Sequence, residues 1–365
     1  MKLIVQPNDG IAPVLSAIKA AKKSVEIVIF RFDRREIEAV LKLAVERRVH
    51  VHALIAYANR GGEQNLRRLE MRFLDAGMTV ARTAGDLIRY HDKFLLIDRT
   101  VLYVLSFNYT ALDIDHSRGF GIITKNRKFV QEAIKLFEAD TRRRPYTPGF
   151  NQFIVSPLNA RKELGAFLRK ARKQLLIYDP KISDPEMLKI LHERAKAGVE
   201  IKIIGRLGKN PNGLHSEKLT KMRLHTRTII RDGAQAFIGS QSLRKAELDS
   251  RREVGVIVRE EKVIRGLIET FKSDWATTEG SVSKDAAATP MAAANEAALK
   301  KTVKVIAKEL PPIATTVKRA LKKIVAKAGP EVLADGKVKD VMKKVVKKAV
   351  KQAVNEIVEQ ADSTS

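Results

Sequence analysis

The sequence predicts an α/β fold built from two duplicated halves, followed by a helical C-terminal extension. Apolar strand-like runs alternate with amphipathic helical runs, and this order occurs twice along the chain. After Trp275 the composition changes to small polar residues and then to a Lys-, Ala- and Val-rich segment, which predicts the extension. The predicted boundaries are 1–148 for the first half, 149–278 for the second, 279–296 for a linker and 297–365 for the helices.

Each half reads as strand, helix, strand, helix and strand. In the first half the segments are LIVQP, IAPVLSAIKAAKKS, VEIVIFRF, EIEAVLKLAVERR and VHVHALIA. In the second half they are FIVSP, ARKELGAFLRKARKQ, LLIYDP, DPEMLKILHERAKAG and VEIKIIG. This alternation predicts two halves that are each an α-β-α sandwich, with a parallel or mixed sheet covered on both faces. A repeat of this length indicates duplication, because solenoid repeats have periods of roughly 20–50 residues.

The predicted extension carries an apolar stripe at helical spacing between Val338 and Val358, with lysines mainly off that stripe. A similar stripe at 317–325 precedes it, and Gly329–Pro330 separates the two helices. The apolar faces require a partner: each other, another subunit, or an anionic membrane surface. Because the extension contains no Trp, Phe or Tyr, packing or oligomerisation is favoured over membrane binding.

The charge points to an anionic partner. The formal net charge is +27, of which residues 281–365 contribute +8 and the main body about +19. Such an excess suits nucleic acid, anionic lipid or a phosphate-bearing substrate, and the plain alternative is a solubility surface. Aromatic residues make up only 5%, which argues against stacking platforms for single-stranded nucleic acid.

Composition also bears on the compartment. With no cysteine in the chain, a disulfide scaffold and a thiolate-bound metal are both excluded. The N-terminal apolar stretch is too short for a secretory signal, and no apolar run is long enough for a membrane-spanning helix. The expected location is therefore cytoplasmic, with peripheral contact at a membrane left open.

A first group of chemically active residues begins at His91. Lys93 follows two residues later and Asp98 seven residues later, within an apolar run. Residues two apart on a strand face the same side, so an imidazole and an ammonium are expected together. The next strand is expected to bring Ser106 and Asn108 to the same edge.

These residue types suit chemistry on a phosphodiester. Cationic and amide donors stabilise the non-bridging oxygens, and an unprotonated imidazole can attack phosphorus. The leaving oxygen needs a proton donor on the opposite side, because the displacement is in line. One histidine cannot stand on both sides, so a second histidine is required.

The second half supplies that histidine in register. His225 follows His91 by 134 residues, and Arg227, Asp232 and Ser240 repeat the positions of the cation, the carboxylate and the first serine. Ser242 stands where the first half has its asparagine. Two such motifs inside a duplicated segment are a much stronger signal than one.

Residues 1–278 thus resemble the phospholipase D superfamily, with its paired HxKxxxxD and GSxN motifs. The resemblance implies two α/β sandwiches related by a pseudo-two-fold axis, one shared active site, a phosphohistidine intermediate, and no metal or cofactor. It implies a catalytic set and a phosphate-binding set. The catalytic set is His91, Lys93, Asp98, His225, Arg227 and Asp232. The phosphate-binding set is Lys93, Ser106, Asn108, Arg227, Ser240 and Ser242.

The motifs depart from the family pattern at three positions. Arg227 replaces the family's lysine, Ser242 its asparagine and Leu105 its glycine. Arginine keeps the charge and grips phosphate with two donors, but it is larger than lysine. The positions of Asp98 and Asp232 at strand ends favour a structural role for both carboxylates over a chemical one.

A carboxylate that orients each histidine is also implied by the resemblance. Glu253, 28 residues after His225, is expected to orient that ring. The equivalent position after His91 is Gly119, so Asp113 or Asp115 is the candidate there. The second half is therefore expected to hold its histidine better. His91 is preferred as nucleophile and His225 as general acid.

Three functions fit these residues. The leading one is a phospholipid-acting enzyme that hydrolyses a headgroup or transfers a phosphatidyl group, brought to anionic lipid by its basic surface. The second is a metal-independent nuclease, since the +19 body also suits a phosphate backbone. The third is a degenerate module that binds anions without turnover, because Arg227, Ser242, Leu105 and Gly119 are what partial decay would leave.

Overall fold

The duplication is visible in a computed structural model that describes residues 1–59, 63–208 and 213–278. Each half contains a β-sheet with helices packed on it, so the predicted pair of α/β halves is confirmed. The predicted linker and helical extension at 279–365 lie outside the described residues. Within the described ranges, every helix is too short or too polar to span a membrane.

The first half follows the predicted order and then adds elements that carry the motif. Its elements are β1 (Lys2–Gln6), α1 (Ala12–Ala20), β2 (Ser24–Ile29), α2 (Arg35–Glu46), β3 (His50–Ile55), α3 (Gln64–Asp75), β4 (Thr79–Arg82), β5 (Arg89–Tyr90), β6 (Phe94–Ile97), β7 (Val101–Leu105), α4 (Ala111–Asp115), β8 (Ser117–Thr124) and α5 (Arg127–Thr141). The pair α3 and β4 was not predicted, and it adds one strand beyond β3 at the sheet edge.

The second half repeats this plan. Its elements are β9 (Phe153–Ser156), α6 (Ala160–Arg169), β10 (Gln174–Ile182), α7 (Pro185–Lys196), β11 (Glu200–Leu207), β12 (Arg223–Leu224), β13 (Arg227–Arg231), β14 (Gln235–Gly239), α8 (Lys245–Asp249), β15 (Arg251–Val258) and α9 (Glu261–Trp275). Short helices α4 and α8 take equivalent places, each between the motif strands and the last strand of its half.

The strand order is the same in both sheets. The first runs β1-β8-β7-β6-β2-β3-β4, and the second runs β9-β15-β14-β13-β10-β11. The pairs β2–β3 and β10–β11 are parallel, whereas β6–β7–β8 and β13–β14–β15 are antiparallel. Mixed sheets of this kind need helices on both faces, which agrees with the predicted layers.

Three apolar cores hold the layers together. Helices α1 to α3 cover the outer face of the first sheet, with Leu41 and Phe73 fully buried. Helices α6 and α7 cover the outer face of the second sheet, where Leu168 is fully buried. The inner faces of both sheets share one core with α5 and α9, which contribute Phe137 and Phe271. Each such side chain contributes roughly 1.5–3 kcal/mol of burial.

Two short strands are exchanged between the halves. Strand β5 of the first half pairs in parallel with β15 of the second, aligning Tyr90 with Arg252. Strand β12 of the second half pairs in parallel with β8 of the first, aligning Leu224 with Arg118. Each motif histidine follows immediately after one of these strands. The exchange therefore delivers each histidine to the sheet of the opposite half.

A buried ion pair supports each exchanged strand from the opposite half. Arg118 donates from Nε and Nη2 to Asp274 at 2.7 and 2.8 Å, and from Nη1 to the Gln6 carbonyl at 2.6 Å. Arg252 donates from Nε and Nη2 to Asp140, both at 3.0 Å. The two pairs are related by the 134-residue offset that relates the histidines. They fix the C-terminal end of α5 to β15 and that of α9 to β8, the strands with which β5 and β12 pair.

We expect Asp274→Asn to destabilise the fold strongly. The change leaves the Arg118 guanidinium buried without its counter-charge, and breaking a buried pair in this way costs about 3–5 kcal/mol. Urea unfolding followed by circular dichroism measures the loss. Glu261→Gln is the matched control, because it breaks an ion pair with Arg265 whose partners are both largely exposed. Equal unfolding midpoints for the two variants would contradict the role of the buried pair.

Candidate active site

The two motif histidines lie in the links between an exchanged strand and the next strand of their own sheet. His91 and Lys93 sit between β5 and β6, and His225 sits between β12 and β13. The prediction that His91 and Lys93 belong to one regular strand is wrong. The chain leaves the opposite sheet at Tyr90 and joins its own at Phe94, so His91 and Lys93 lie outside both strands. Each still keeps one backbone hydrogen bond to a neighbouring strand: the His91 N–H to β15 and the Lys93 carbonyl to β7.

Backbone hydrogen bonds anchor both histidines to the opposite half. The His91 N–H donates to the Arg252 carbonyl at 2.8 Å, and the His225 N–H donates to the Arg118 carbonyl at 3.1 Å. These are the two arginines that form the buried pairs with Asp140 and Asp274. The main chain at each imidazole is thus fixed by the sheet that carries the other motif.

Glu253 orients His91 and not His225. The His91 Nδ1 lies 2.8 Å from Oε2 and 3.1 Å from Oε1 of Glu253, whose side chain is fully buried. The prediction that Glu253 orients His225 is therefore wrong. Its cause is the strand exchange, since β15 carries Glu253 and pairs with the strand that precedes His91. Glu253, which follows His225 by 28 residues, consequently contacts the histidine of the other half.

The carboxylate beside His225 is Asp113, which comes from the first half. Its Oδ2 lies 3.5 Å from His225 Nδ1, and that nitrogen has no hydrogen-bond partner within the described ranges. The same Oδ2 accepts from the backbone and side chain of Asn108 at 2.9 and 2.6 Å. Both terminal nitrogens of Arg223 donate to its Oδ1 at 2.9 Å.

The expected asymmetry between the histidines is therefore reversed. His91 has a direct hydrogen bond to a buried carboxylate, whereas the nearest carboxylate to His225 is committed to other donors. The candidates named for His91, Asp113 and Asp115, do not contact it, and Asp115 pairs with Arg34. The better-held imidazole belongs to the first half.

The two motif cations occupy equivalent positions. Lys93 Nζ donates to the carbonyl of His91, and Arg227 Nη1 donates to the carbonyl of His225 at 2.5 Å. Burial lowers the pKa of Lys93 to about 7, against the attraction of Glu253. An anion bound beside Lys93 would favour its charged form, because an opposite charge raises the pKa of an ammonium.

The two substitutions in the second motif compensate each other in size. Arg227 Nε donates to the Ser242 hydroxyl at 3.2 Å, so the smaller serine makes room for the longer guanidinium. In the first motif the smaller cation, Lys93, accompanies the larger amide of Asn108. The Asn108 Nδ2 donates to Asp113, and the Ser242 N–H donates to Glu247 at 2.8 Å. The departures thus preserve the motif cation and the backbone N–H bond to a carboxylate, which Asn108 and Ser242 both make, but not the side-chain donor of Asn108.

The motif serines are engaged with the backbone. Ser106 accepts the N–H of Phe120 at 2.8 Å, and Ser240 accepts the N–H of Val254 at 3.2 Å. Both serines are completely buried. The Ser106 hydroxyl links the end of β7 to β8, and the Ser240 hydroxyl links the end of β14 to β15. Phosphate binding by these two serines stays a prediction.

The two motif aspartates lie away from the imidazoles. Asp98 accepts the backbone N–H groups of residues 22–24, and Asp232 accepts those of residues 172–174. Both sit in turns with positive φ, 52° and 54°, at the far ends of β6 and β13. This placement contradicts the expectation that Asp98 and Asp232 belong to the catalytic set. These are the contacts of a carboxylate that holds a turn.

Leu105 is accommodated by a glycine on the neighbouring strand. It pairs with Gly121, where a Cβ would lie 2.8 Å from Leu105 Cδ2. In the second half the same pair is Gly239 and Gly255. The substitution of the usual glycine is therefore accommodated within the sheet by the space above Gly121.

Charges from both motifs act on both imidazoles. Burial lowers the pKa of His91 well below its usual value, and the charges of Lys93 and Arg227 lower it further. Burial also lowers the pKa of His225, followed by the charges of Arg227 and Lys93. Both effects favour the neutral form of each ring. The shared cations show that the two motifs form one electrostatic site.

Several contributing residues escaped the sequence analysis. The Phe30 ring packs edge-on against His91 with centroids 4.5 Å apart, and Lys93 Nζ lies 5.5 Å from the same ring. Arg31 lies on the ring as well, at 5.8 Å, and forms no ion pair with any described residue. The buried arginine–aspartate pairs could have been recognised in the sequence, because both arginines and both aspartates are 134 residues apart. Phe30 has no aromatic counterpart in the second half, where the strand register places Pro180 at the equivalent position.

Comparison with known proteins agrees with the duplicated α/β fold. The family described as "Cardiolipin synthase, PLD-like domain" matches residues 14–141 and 164–275. The mitochondrial cardiolipin hydrolase of Mus musculus is 28% identical over 134 residues, which are 36% of this chain and 58% of that protein. The chain spans between 50% and 58% of the length of the curated relatives it matches.

Two solved structures share the fold. The polyphosphate kinase of Porphyromonas gingivalis superposes with a TM-score of 0.62 at 19% identity, covering 74% of this chain and 49% of that one. The phosphatidylserine synthase of Haemophilus influenzae Rd KW20 superposes with a TM-score of 0.58 at 9% identity, covering 76% of this chain and 86% of that one. At these identities the likeness establishes the architecture alone. The paired motifs, the duplicated sheets and the family match over both halves place this chain in the phospholipase D superfamily.

Proposed function

We propose that this protein is a phospholipase D-type phosphodiesterase or phosphatidyltransferase that acts on phospholipid through a phosphohistidine intermediate. The observation that carries the proposal is the crossed arrangement of two imidazoles, each beside a carboxylate of the opposite half. Two cations, Lys93 and Arg227, act with their charges on both rings. This is the set that an in-line displacement at phosphorus requires.

In the first step His91 is the nucleophile. When the proton it shares with Glu253 lies on Nδ1, Nε2 keeps its lone pair and attacks phosphorus. The bond between phosphorus and the leaving oxygen breaks, and His225 in its protonated form gives that oxygen a proton. Lys93 and Arg227 stabilise the charge on the non-bridging oxygens. The bound phosphate favours protonation of His225, because it offsets the cations that keep the ring neutral.

In the second step the roles of His225 reverse. The now neutral ring takes a proton from water or from an acceptor alcohol, and the resulting oxygen nucleophile attacks the phosphorus held on His91. The bond to His91 Nε2 breaks, which restores the free imidazole and releases a phosphate monoester or a new diester. His225 keeps the proton for the next turnover.

A phospholipid is the proposed substrate because the family profile is that of a cardiolipin synthase domain and the mouse relative is a cardiolipin hydrolase. The basic main body, about +19, would also draw the protein to an anionic membrane surface from the cytoplasmic side. The same charge supports a nuclease as the second candidate, because a duplex presents a dense row of phosphates.

The substrate class is tested by measuring activity in EDTA on three substrates: anionic phospholipid vesicles, plasmid DNA and bis-nitrophenyl phosphate. We expect turnover of the vesicle lipid and of the nitrophenyl diester. Cleavage of DNA without release of lipid headgroup or phosphatidic acid would instead establish the nuclease. Anion binding without turnover of any substrate would establish the degenerate module.

The assignment of the two histidines predicts a single burst from His225→Ala. Nitrophenolate leaves without a proton donor, so this variant still transfers the nitrophenyl-phosphoryl group to His91 but cannot activate water to release it. Rapid mixing with bis-nitrophenyl phosphate should release about one nitrophenolate per active site and then slow sharply. Mass spectrometry should locate the trapped phosphoryl group on His91.

His91→Ala is the matched variant for that experiment. It lacks the nucleophile, so neither a burst nor a phosphorylated histidine is expected. A burst from His91→Ala with the phosphoryl group on His225 would exchange the two assignments. Wild-type activity in both variants would rule out both histidines.

Glu253→Gln should lower kcat by about 100-fold while leaving the protein folded. An amide can donate to Nδ1, which moves the imidazole proton to Nε2 and removes the attacking lone pair. Steady-state turnover of bis-nitrophenyl phosphate measures the loss. Glu36→Gln, on an exposed part of α2, is the control for the same chemical change. A kcat equal to that of Glu36→Gln would contradict the positioning role of Glu253.

A further inference from the structure

We propose that Phe30 is a positioning residue of the reaction centre: its ring fixes the plane of the His91 imidazole and keeps the Lys93 ammonium charged beside it. The positioning role rests on the proposed function, because it serves the same attack on phosphorus. Phe30 follows β2 directly and is only 2% exposed, so it acts through its neighbours rather than on the substrate.

The Phe30 ring lies edge-on to the imidazole of His91. The two centroids are 4.5 Å apart and the two planes make an angle of 74°, an arrangement that aromatic rings prefer. The hydrogen bond from Nδ1 to Glu253 fixes one atom of the imidazole but leaves the ring free to tilt about that bond. Contact with Phe30 removes this freedom. Nε2 is then held in one direction, which an in-line attack on phosphorus requires.

The same ring gathers three cations. Lys93 Nζ, Arg89 Cζ and Arg31 Cζ lie 5.5, 5.6 and 5.8 Å from its centroid. A cation at such a distance is attracted by the negative face of an aromatic ring, and more strongly where water is excluded. Lys93 is only 1% exposed, so its ammonium has exchanged water for the ring and for the His91 carbonyl.

Lys93 is the cation whose charge depends on the ring. A guanidinium keeps its proton near neutral pH, whereas a buried ammonium loses one readily. Burial lowers the pKa of Lys93 to about 7, and the charge of Arg227 lowers it further. Three carboxylates act in the opposite direction, but the main one, Glu253, is also bonded to His91. The attraction of the Phe30 ring adds to theirs in favour of the charged form.

The second half carries a different pair of residues at the equivalent positions. Pro180 stands where the first half has Phe30, and it has no aromatic ring. The motif cation there is Arg227, whose guanidinium stays charged without such support. Lysine thus occurs together with the ring, and arginine together with the proline. This pairing is expected if the ring serves the ammonium.

The test replaces Phe30 by phenylalanines that carry one, two and three ring fluorines. Fluorine withdraws electron density from the ring face, so it weakens the attraction for a cation and leaves the shape of the side chain nearly unchanged. The measured quantity is kcat/KM for bis-nitrophenyl phosphate as a function of pH. Because nitrophenolate needs no proton from His225, the loss of activity at high pH reports the loss of the Lys93 proton.

We expect the basic limb of this profile to move to lower pH with each added fluorine, by about one unit in total. The sign follows from the charge, since a weaker attraction for the ammonium lowers the pKa of Lys93. Fluorination leaves the other charged and titratable groups around Lys93 and the ring in place. These are Glu253 on β15, Arg227 on β13, Asp113 on α4, Arg89 on β5, Arg31 after β2, and Asp92, His91 and His225 in the two motif links.

Phe30→Leu removes the ring altogether. It should move the basic limb in the same direction and lower kcat at the optimal pH about tenfold, because the imidazole can tilt again. Phe32→Leu is the matched control, since it makes the same change where the ring packs on Phe73 and Tyr109. The control should keep the wild-type limb and the wild-type kcat. Circular dichroism of each variant confirms that the fold is retained.

The possible failures are distinguishable. If the wild type turns over the diester and the basic limb stays in place in the fluorinated variants and in Phe30→Leu, the positioning role is wrong and the proposed function stands. A shift of equal size in Phe32→Leu would also overturn the role, because it would reflect the apolar core in general. If the wild type turns over no diester, the proposed function and the positioning role fall together.

Discussion

The fold depends on one constraint: each motif histidine must be carried across to the sheet of the other half. Strands β5 and β12 meet this constraint by pairing with β15 and β8, and a single backbone hydrogen bond then fixes each histidine to a partner arginine. Those arginines are buried and held by Asp140 and Asp274. Because uncompensated charge is so costly in a protein interior, each arginine has essentially one favourable position. The location of the imidazoles follows from it.

The sequence was sufficient for the architecture and for the identity of the motif. Periodicity predicted the first three strands and the first two helices of each half, and the 134-residue register singled out the two imidazoles and their cations. What it could not supply was the exchange of β5 and β12, because two-residue strands carry no periodicity. Glu253 was consequently assigned to the wrong histidine. Local spacing cannot reveal which half a side chain faces when the pairing is between distant strands.

The unusual residues of the second motif are explained by volume. A lysine with an asparagine and an arginine with a serine fill similar space and place a cation near each histidine. Read singly, Arg227 and Ser242 suggest decay of the site; read together, they are a matched replacement in a close-packed interior. The same holds for Leu105 opposite Gly121. Packing partners, which only coordinates reveal, separate compensated changes from harmful ones.

Glu253 pairs with His91, whereas the equivalent position of the first half is a glycine, Gly119. This difference between the halves has a consequence for how such a protein can evolve. In an assembly of two identical subunits, any substitution appears at both symmetry-related sites. The histidine that attacks phosphorus and the histidine that donates the proton would then have identical surroundings, which cannot suit both tasks equally. Fusion into a single polypeptide removes that restriction. One imidazole can then be tuned for attack and its counterpart for proton transfer, each by changes that leave the other untouched.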